Sequence, residues 1–396
     1  MTKQDSSKRK PNRPYPEFLL FTTCNGRWYY KLQFKNFVSF FVLTFSCALT
    51  FTGITEAQTA PQPHEYVPHH LLGLIHAPEV HRELKMTQGQ INQLEKLFDQ
   101  IDGQWWRSRN LKVGEKTAVI LKLEETVDNW LQTNCTAEQR LRLQQLELRS
   151  QGTRMLLRTD VQEKLSLSEL QVRSIFELAQ ATQNAQTELQ KAIRQNLPTE
   201  ELRGAVSKAQ EAEQKVFLTL LKSDQIAKLR ELAGREFDTS GLKRIFPKAP
   251  ELIASKHWIN TKPLTLANLR GKVVLLHFYA FQCHNCKANF DVYRRWHEKF
   301  GDQVVLIGIQ TPETALERDP VAVARAAGNE ELTFPILIDL EAANWKNWSN
   351  TMWPTVYVID KQGYLRQWWQ GELRWQGATG DQAIEKLVEE LILESS

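Results

Sequence analysis

KVVLLHFYAFQCHNCKANF, residues 272–290, is the stretch on which the architecture of this chain turns. Its first part, KVVLLHFYA (272–280), is a continuous apolar run suited to a strand buried on both faces of a parallel sheet. Apolar positions return at Phe290, Tyr293, Trp296 and Phe300, the spacing of one helical face. Between strand and helix stand Cys283 and Cys286, separated by His284 and Asn285. Three chemistries use such a pair: half of a metal site, a static staple, or a working redox couple.

The surrounding pattern is that of an α/β domain. QVVLIGIQ (303–310) reads as a second buried strand. TVYVID (355–360) and YLRQWW (364–369), separated by Lys-Gln-Gly, read as a hairpin. Thr379-Gly-Asp-Gln382 followed by Ile384, Leu387, Val388 and Leu391 reads as a capped amphipathic helix. Upstream, TSGLKRIFPKAPELIASKHWINTKP (239–263) carries prolines and ends a long helical pattern, so 239–262 is expected to be a linker and 263–396 a domain.

Placement decides the chemistry. Cys283 is expected at a helix N-terminus, where backbone N–H groups favour a thiolate, with Cys286 one turn inside the same helix. Lowering a thiol from about 8.5 to about 7 raises its thiolate fraction at pH 7 roughly fifteen-fold. Weaker nucleophilicity returns about five-fold of that gain. The larger benefit is that Cys283 becomes a better leaving group. A ring this short adds only about 2 kcal/mol by loop entropy, which makes a poor staple. Zinc needs four ligands and the domain offers no second pair, so no metal is expected. A peroxidase would want Pro-x-x-x-Thr-x-x-Cys, and those positions hold Leu276 and Ala280. Dithiol–disulfide exchange is the expectation, with no cofactor beyond the pair itself.

With 396 residues, two domains and a leader are the default. The formal charge of +4 is concentrated at the front, where residues 1–57 hold eight Lys/Arg against three acids. The nearly neutral remainder argues against nucleic acid as a partner. Basic residues preceding FVSFFVLTFSCALTF (37–51), with Thr55-Glu-Ala57 after it, give 1–57 the character of a signal peptide or of a membrane anchor through 37–54. The chain is therefore expected to be periplasmic or otherwise extracytoplasmic. Cys24 and Cys47 fall in the leader, and Cys135 is expected to be a spectator.

The histidine- and proline-containing segment 58–78 reads as a flexible linker, and 79–238 as a helical domain. Met86-Thr-Gln-Gly-Gln90, Thr136-Ala-Glu-Gln139 and Leu167-Ser-Glu-Leu-Gln171 are capping-box signals, with Lys222-Ser-Asp-Gln225 a variant. Gln90 with Gln139, and Gln171 with Gln225, mark two related hairpin units of roughly 80 residues. Trp105 and Trp106 read as buried core. The four signals resemble the LTxxQ repeats of Spy- and CpxP-type envelope proteins. That resemblance implies an alternative in which the helical domain acts as a binding or chaperone-like module and the redox domain is auxiliary.

A second resemblance covers about 246–396 and rests on several motifs together. These are Leu266-Ala-Asn-Leu-Arg-Gly-Lys272, Cys-His-Asn-Cys with Trp296 ten residues later, Thr311-Pro-Glu313 with Glu317-Arg-Asp-Pro320, and Trp353-Pro354-Thr355 before VYVIDKQGYLR. The region resembles extracytoplasmic thioredoxin-like proteins of the TlpA/ResA class, closest to the DipZ-type branch. The implied fold class is α plus α/β, a helical-hairpin domain followed by a thioredoxin-like α/β sandwich. Implied too are a cis Pro354 facing the pair, and substrate contacts from Trp353, Thr355 and Phe281. The implied partners are protein thiol or disulfide substrates and a membrane electron-transfer partner. Two departures stand out. Phe281-Gln282 precede the pair where the family commonly has Trp. His277 stands where thioredoxins bury an acid, and is expected to accept the Cys286 proton. His284, and Asn285 beside it, are expected to tune Cys283.

Overall fold

The computed structural model describes residues 62–394 apart from positions 196 and 240, so the leader at 1–57 and the start of the 58–78 segment lie outside the described residues. The N-terminal region contains α1 (Leu71–His76), α2 (Pro78–Glu83), α3 (Gln88–Ser108), α4 (Val113–Asn134) and α5 (Ala137–Gln151). It continues through α6 (Thr159–Leu165), α7 (Glu169–Gln195), α8 (Glu200–Gln214), α9 (Val216–Thr219) and α10 (Ser223–Ala233). Among the described residues no helix is long and apolar enough to cross a membrane.

The capping signals do more than start helices. Gln90 accepts from the Thr87 N–H through Oε1, then donates through Nε2 to Gln139 Oε1 (3.0 Å) and the Asn134 carbonyl (2.7 Å). Gln139 donates in turn to the Leu84 carbonyl. Gln171 likewise donates to Gln225 Oε1 (2.8 Å) and the Leu220 carbonyl (2.6 Å), and Gln225 to the Leu165 carbonyl. Each pair ties two helix starts to two chain reversals, satisfying end groups that a helix leaves open.

The flexible linker expected at 58–78 is corrected by α1. Leu71, Leu72, Leu74 and Ile75 are buried in the helical core, because LLGLI is itself apolar enough to join it. Histidines of this segment and just beyond it are fixed as well. His76 bonds Asp102 (2.9 Å) and the Leu72 carbonyl (2.6 Å), His81 of α2 bonds the Ile75 carbonyl (2.6 Å), and His69 pairs with Glu124 (2.9 Å).

The C-terminal region is a thioredoxin-like mixed sheet. Its strands are β1 (Trp258–Ile259), β2 (Val273–Tyr279), β3 (Val304–Gln310), β4 (Ile336–Ile338), β5 (Thr355–Ile359) and β6 (Leu365–Gln370), in the order β1-β4-β3-β2-β5-β6. β2, β3 and β4 run parallel, while β5 is antiparallel to β2 and β6 to β5. Helices α11 (His284–Lys287) and α12 (Phe290–Phe300) follow β2. α13 (Pro320–Asn329) joins β3 to β4, α14 (Ala343–Asn347) follows β4, and α15 (Gly380–Leu393) closes the chain. Two expectations change here. The 239–262 linker contributes β1 at the sheet edge, and Thr379 makes no side-chain cap to α15.

Along β2 the side chains alternate between two cores. Val273, Leu275 and Tyr279 join α12 and α15, whereas Val274, Leu276 and Phe278 face Trp348, Trp368 and, from α3, Trp106. Trp106 donates to the Trp348 carbonyl (3.1 Å), and Arg109 to the same carbonyl (2.6 Å). In return Tyr364 enters the helical core and donates to Glu95 Oε1 (2.7 Å), while the Lys248 N–H donates to Asp102 (2.8 Å). The 239–262 segment is thus a strap pinned to both cores, because its own Leu252 and Lys248 find partners on either side.

Trp106→Ala is expected to cost about 3–5 kcal/mol, the usual cost of emptying an aromatic site in a core. A lowered thermal midpoint with loss of the Trp348 environment in fluorescence would show it, and an unchanged midpoint would refute the docking role.

Candidate functional site

The site forms where β2 ends. Its neighbours run alongside to the same level, with Tyr279 beside Gln310 of β3 and Phe278 beside Thr355 of β5. The chain leaves β2 through Ala280, Phe281 and Gln282, and Cys283 is the N-cap of α11. The Cys286 and Lys287 N–H groups donate to the Cys283 carbonyl (3.2 and 3.3 Å). The single helix expected from Cys283 onward is interrupted at Ala288 and Asn289. Asn289 is buried, donates through Nδ2 to the Gly371 carbonyl (3.2 Å) and accepts from the Leu373 N–H (2.9 Å). This asparagine fastens the break to the loop after β6.

The two thiols are unlike. Cys283 is half-buried, and its pKa is held below the ordinary thiol value chiefly by the hydrogen bond from the Cys286 side chain. The backbone N–H groups of Cys286 and Asn285 add to this, against opposing desolvation and the Glu313 charge. Cys286 is fully buried, and desolvation first and Cys283 second push its thiol far up. Neither is joined in a disulfide. One sulfur is thus prepared to ionise at the surface while its neighbour keeps its proton beneath.

The loop before the pair is clamped by a residue the sequence reading quoted without giving it a role. Glu317 is fully buried and accepts from three backbone N–H groups, those of Gln282 (2.7 Å), Glu313 (2.7 Å) and Thr314 (2.8 Å). Thr314 also bonds the Gln282 side chain. Nothing in the run of charges around Glu317 distinguishes it from a solvated carboxylate, since its partners are backbone groups, two from its own loop and one, Gln282, from the loop after β2.

The remaining expected residues are placed as follows. The Trp353–Pro354 bond is cis, and Pro354 is buried with its carbonyl accepting from the Gly371 N–H (2.7 Å). Trp353 is half-buried, stacks on Trp345 at 4.1 Å, and packs on the same core cluster as Phe281 and Cys283. Thr355 is corrected as a substrate contact. It is fully buried, and its hydroxyl donates to the Met352 carbonyl (2.9 Å), so it shapes the loop. The side chains of His284 and Asn285 are exposed, and Asn285 acts on Cys283 through its backbone.

His277 is fully buried between Tyr293 (4.2 Å between ring centres) and Tyr279 (5.0 Å). Gly308 opposite leaves room for it, since a Cβ there would lie 3.0 Å from Nε2. Neither ring nitrogen has a hydrogen-bond partner, and burial pushes the pKa down to about 3. Moving a proton from an ordinary thiol at about 8.5 to a base at about 3 costs about 7 kcal/mol. The expectation that His277 accepts the Cys286 proton is therefore revised: the ring is neutral and a poor acceptor. Among the described residues no group of three or more His, Cys, Asp or Glu is arranged to hold a metal ion.

Comparison with known proteins points the same way as the geometry. The model of the AhpC/TSA family matches residues 247–368. Protein DipZ of Mycobacterium tuberculosis is 40% identical over 122 residues, 30% of this chain and 18% of that protein. Thiol-disulfide oxidoreductase YkuV of Bacillus subtilis is 28% identical over 146 residues, 37% of this chain and 95% of that one. The solution structure of a thioredoxin-like protein in its oxidized form aligns at 29% identity and a TM-score of 0.33, covering 38% of this chain and 97% of that one. The chain thus spans under a fifth of the DipZ protein it matches. The family model and the two curated relatives support a redoxin of the TlpA, ResA and DipZ type in the C-terminal region.

Cys286→Ala removes the hydrogen bond that does most to hold the Cys283 thiol low. The pH midpoint for alkylation of Cys283 by iodoacetamide is expected to move up, with slower alkylation at pH 7. Stability follows the same sign. A depressed Cys283 favours the folded dithiol above the unfolded thiol's pKa, and that gain is lost as pH falls through the folded value. An alkylation midpoint unmoved by the substitution would refute the assignment.

Proposed function

We propose that the chain is an exported thiol–disulfide oxidoreductase that exchanges the Cys283–Cys286 dithiol and disulfide with protein thiols. The observation that carries this is the asymmetry of the pair, one half-exposed thiol held low over one buried thiol held high. Cys283, as thiolate, attacks a substrate disulfide. The bond between the substrate sulfurs breaks, the electron pair leaves on the distal sulfur, and a mixed disulfide forms. Cys286 then gives its proton to the released thiolate and its sulfur attacks Cys283. The Cys283–Cys286 bond forms, the bond to substrate breaks, and the substrate departs reduced by two electrons. The same steps run backward oxidise a protein dithiol.

Trp353 and Phe281, half-buried and packed on the same core cluster as Cys283, frame the substrate, with Pro354 fixing the loop that carries Trp353. His277 contributes as a neutral group in the place of an acid. It leaves no buried negative charge on the strand to oppose a thiolate above it. The basic, apolar leader supports an extracytoplasmic location, where a membrane electron-transfer partner would restore the pair. The helical region acts as a support that covers the sheet face away from the cysteines.

Cys286→Ser is expected to trap covalent partners through Cys283 in an envelope extract, visible as reducible adducts that Cys283→Ala abolishes. Absence of adducts, together with no dithiol–disulfide cycling of the unmodified chain, would defeat the proposal. His277→Asp is expected to raise the thiol pKa values and make the couple more reducing by on the order of 30 mV. An unchanged potential would remove His277 from the mechanism.

A further inference from the structure

The sheet face beneath Cys286 carries a group of polar atoms that the fold does not need. His277 and Tyr279 on β2 point to this face, and so does Gln310, which pairs with Tyr279 across to β3. All three are essentially fully buried, at 0%, 1% and 0% exposure. Both ring nitrogens of His277, the Tyr279 hydroxyl and both amide atoms of the Gln310 side chain lack a hydrogen-bond partner. Buried polar atoms are rarely left so, because each forfeits its hydration without return. Leu, Phe or Met at these positions would extend the apolar core made by Leu275, Phe290, Leu306 and Phe334.

What lies over these atoms is the resolving cysteine. Cys286, Phe290 and Tyr293 belong to the same core cluster as Tyr279. Tyr279 packs edge-on to Phe290 (5.6 Å), and Tyr293 stacks on His277. Negative charge on Cys286 is felt by the hydroxyls of both tyrosines. Burial first, then the Cys286 and Glu317 charges, push the Tyr279 phenol upward, so it keeps its proton and remains able to donate.

We propose that Tyr279 is a catalytic hydrogen-bond donor to the Cys286 sulfur as the thiolate forms, with Gln310 and His277 as the neutral polar bed that lets the hydroxyl turn toward it. The inference rests on the exchange function proposed above and assigns a residue to its second step. In that step the Cys286 proton goes to the substrate thiolate already released, the Cys283–Cys286 bond forms, and the Cys283–substrate bond breaks with its electron pair on the substrate sulfur. Tyr279 gains and loses no proton. The titratable groups that act on Cys286 or are acted on by it are Cys283 on its own segment, Tyr279 from β2, Tyr293 from α12 and Glu313 from the loop after β3; Glu317 of that loop acts on Tyr279, and His277 stacks on Tyr293.

The full chain carrying Cys24→Ser, Cys47→Ser and Cys135→Ser as the common background, reduced and mixed with 5,5′-dithiobis(2-nitrobenzoate), releases one coloured thiolate when Cys283 is captured and a second when Cys286 resolves the adduct. Stopped-flow absorbance from pH 5 to 9 separates the two. In Tyr279→Phe the first release is expected unchanged. The second is expected to be about ten- to one-hundred-fold slower with its pH midpoint raised, the loss of one hydrogen bond to a charged group. The thermal midpoint is expected equal or higher, since an unpartnered buried hydroxyl has been removed. A second release as fast as in the unsubstituted chain, or slowing in step with a lowered thermal midpoint, would overturn the proposal. Gln310→Leu is the second variant. Slower second release with retained stability supports the polar bed, and an unchanged rate refutes it even if Tyr279→Phe fails to fold. If the unsubstituted chain gave no second release, the exchange function itself would fall instead.

Discussion

Strand β2 has a hydrogen-bonded neighbour on each edge and a packed layer on each face, and every part of the site is placed by that confinement. A strand so apolar on both sides cannot lie on the surface, so each face demands a cover. On one side the cover is α12 and α15, which belong to the redoxin. On the other it is the strap before β1, the tryptophans around α14 and, from the helical region, Trp106. The N-terminal helices are therefore bound to the cysteine domain by the same burial that holds β2 straight. Their attachment is reciprocal, since Tyr364 at the tip of the β5–β6 hairpin enters the helical core.

Confinement also fixes parity. Side chains on a strand alternate, and a slip of one residue would carry His277 and Tyr279 to the far side of the sheet. As built, they share a face with Cys286, while Leu276 and Phe278 face Trp348 and Tyr357. Gly308 belongs to the same constraint. A side chain there would meet His277, Tyr279 and Phe334 at 3.0 to 3.3 Å, so the glycine on β3 and the histidine on β2 accommodate one another.

What could be read from the sequence follows the range of each interaction. β2, β3, the β5–β6 hairpin and the cysteine pair were legible because apolar runs and turn residues act over a few positions. The capping glutamines were legible for the same reason. The partners they find across the bundle, such as Gln90 with Gln139, extend a local signal into a long-range one. The misreadings concern residues whose roles are set from afar. Residues 71–76 looked like linker because histidines and prolines surround them, yet their apolar side chains had a core to join. Glu317 and Asn289 were given no role from the sequence, and each is fastened by a backbone group from a distant loop, the Gln282 N–H for the first and the Leu373 N–H for the second. His277 was singled out by its position six residues before Cys283. Its protonation state was not legible, because that depends on the aromatic rings packed around it.

The electrostatics of the pair then follow from which groups are buried and which lie at the rim. Beneath Cys286 the strand offers only neutral polar groups, because burial holds His277 deprotonated and Tyr279 protonated. Formal negative charge enters from the side, through the loop after β3, where exposed Glu313 opposes ionisation of both cysteines. A carboxylate buried under the pair would act undiminished by solvent, whereas one at an exposed rim is screened by water and salt. Buried Glu317 is spent on three backbone N–H groups, which compensate its charge where it lies. The balance between the two thiols is thus left mainly to their own hydrogen bond and to the N–H groups at the start of α11. Both are short-range, and both depend on the loop from Ala280 to Cys283 being held where β2 delivers it.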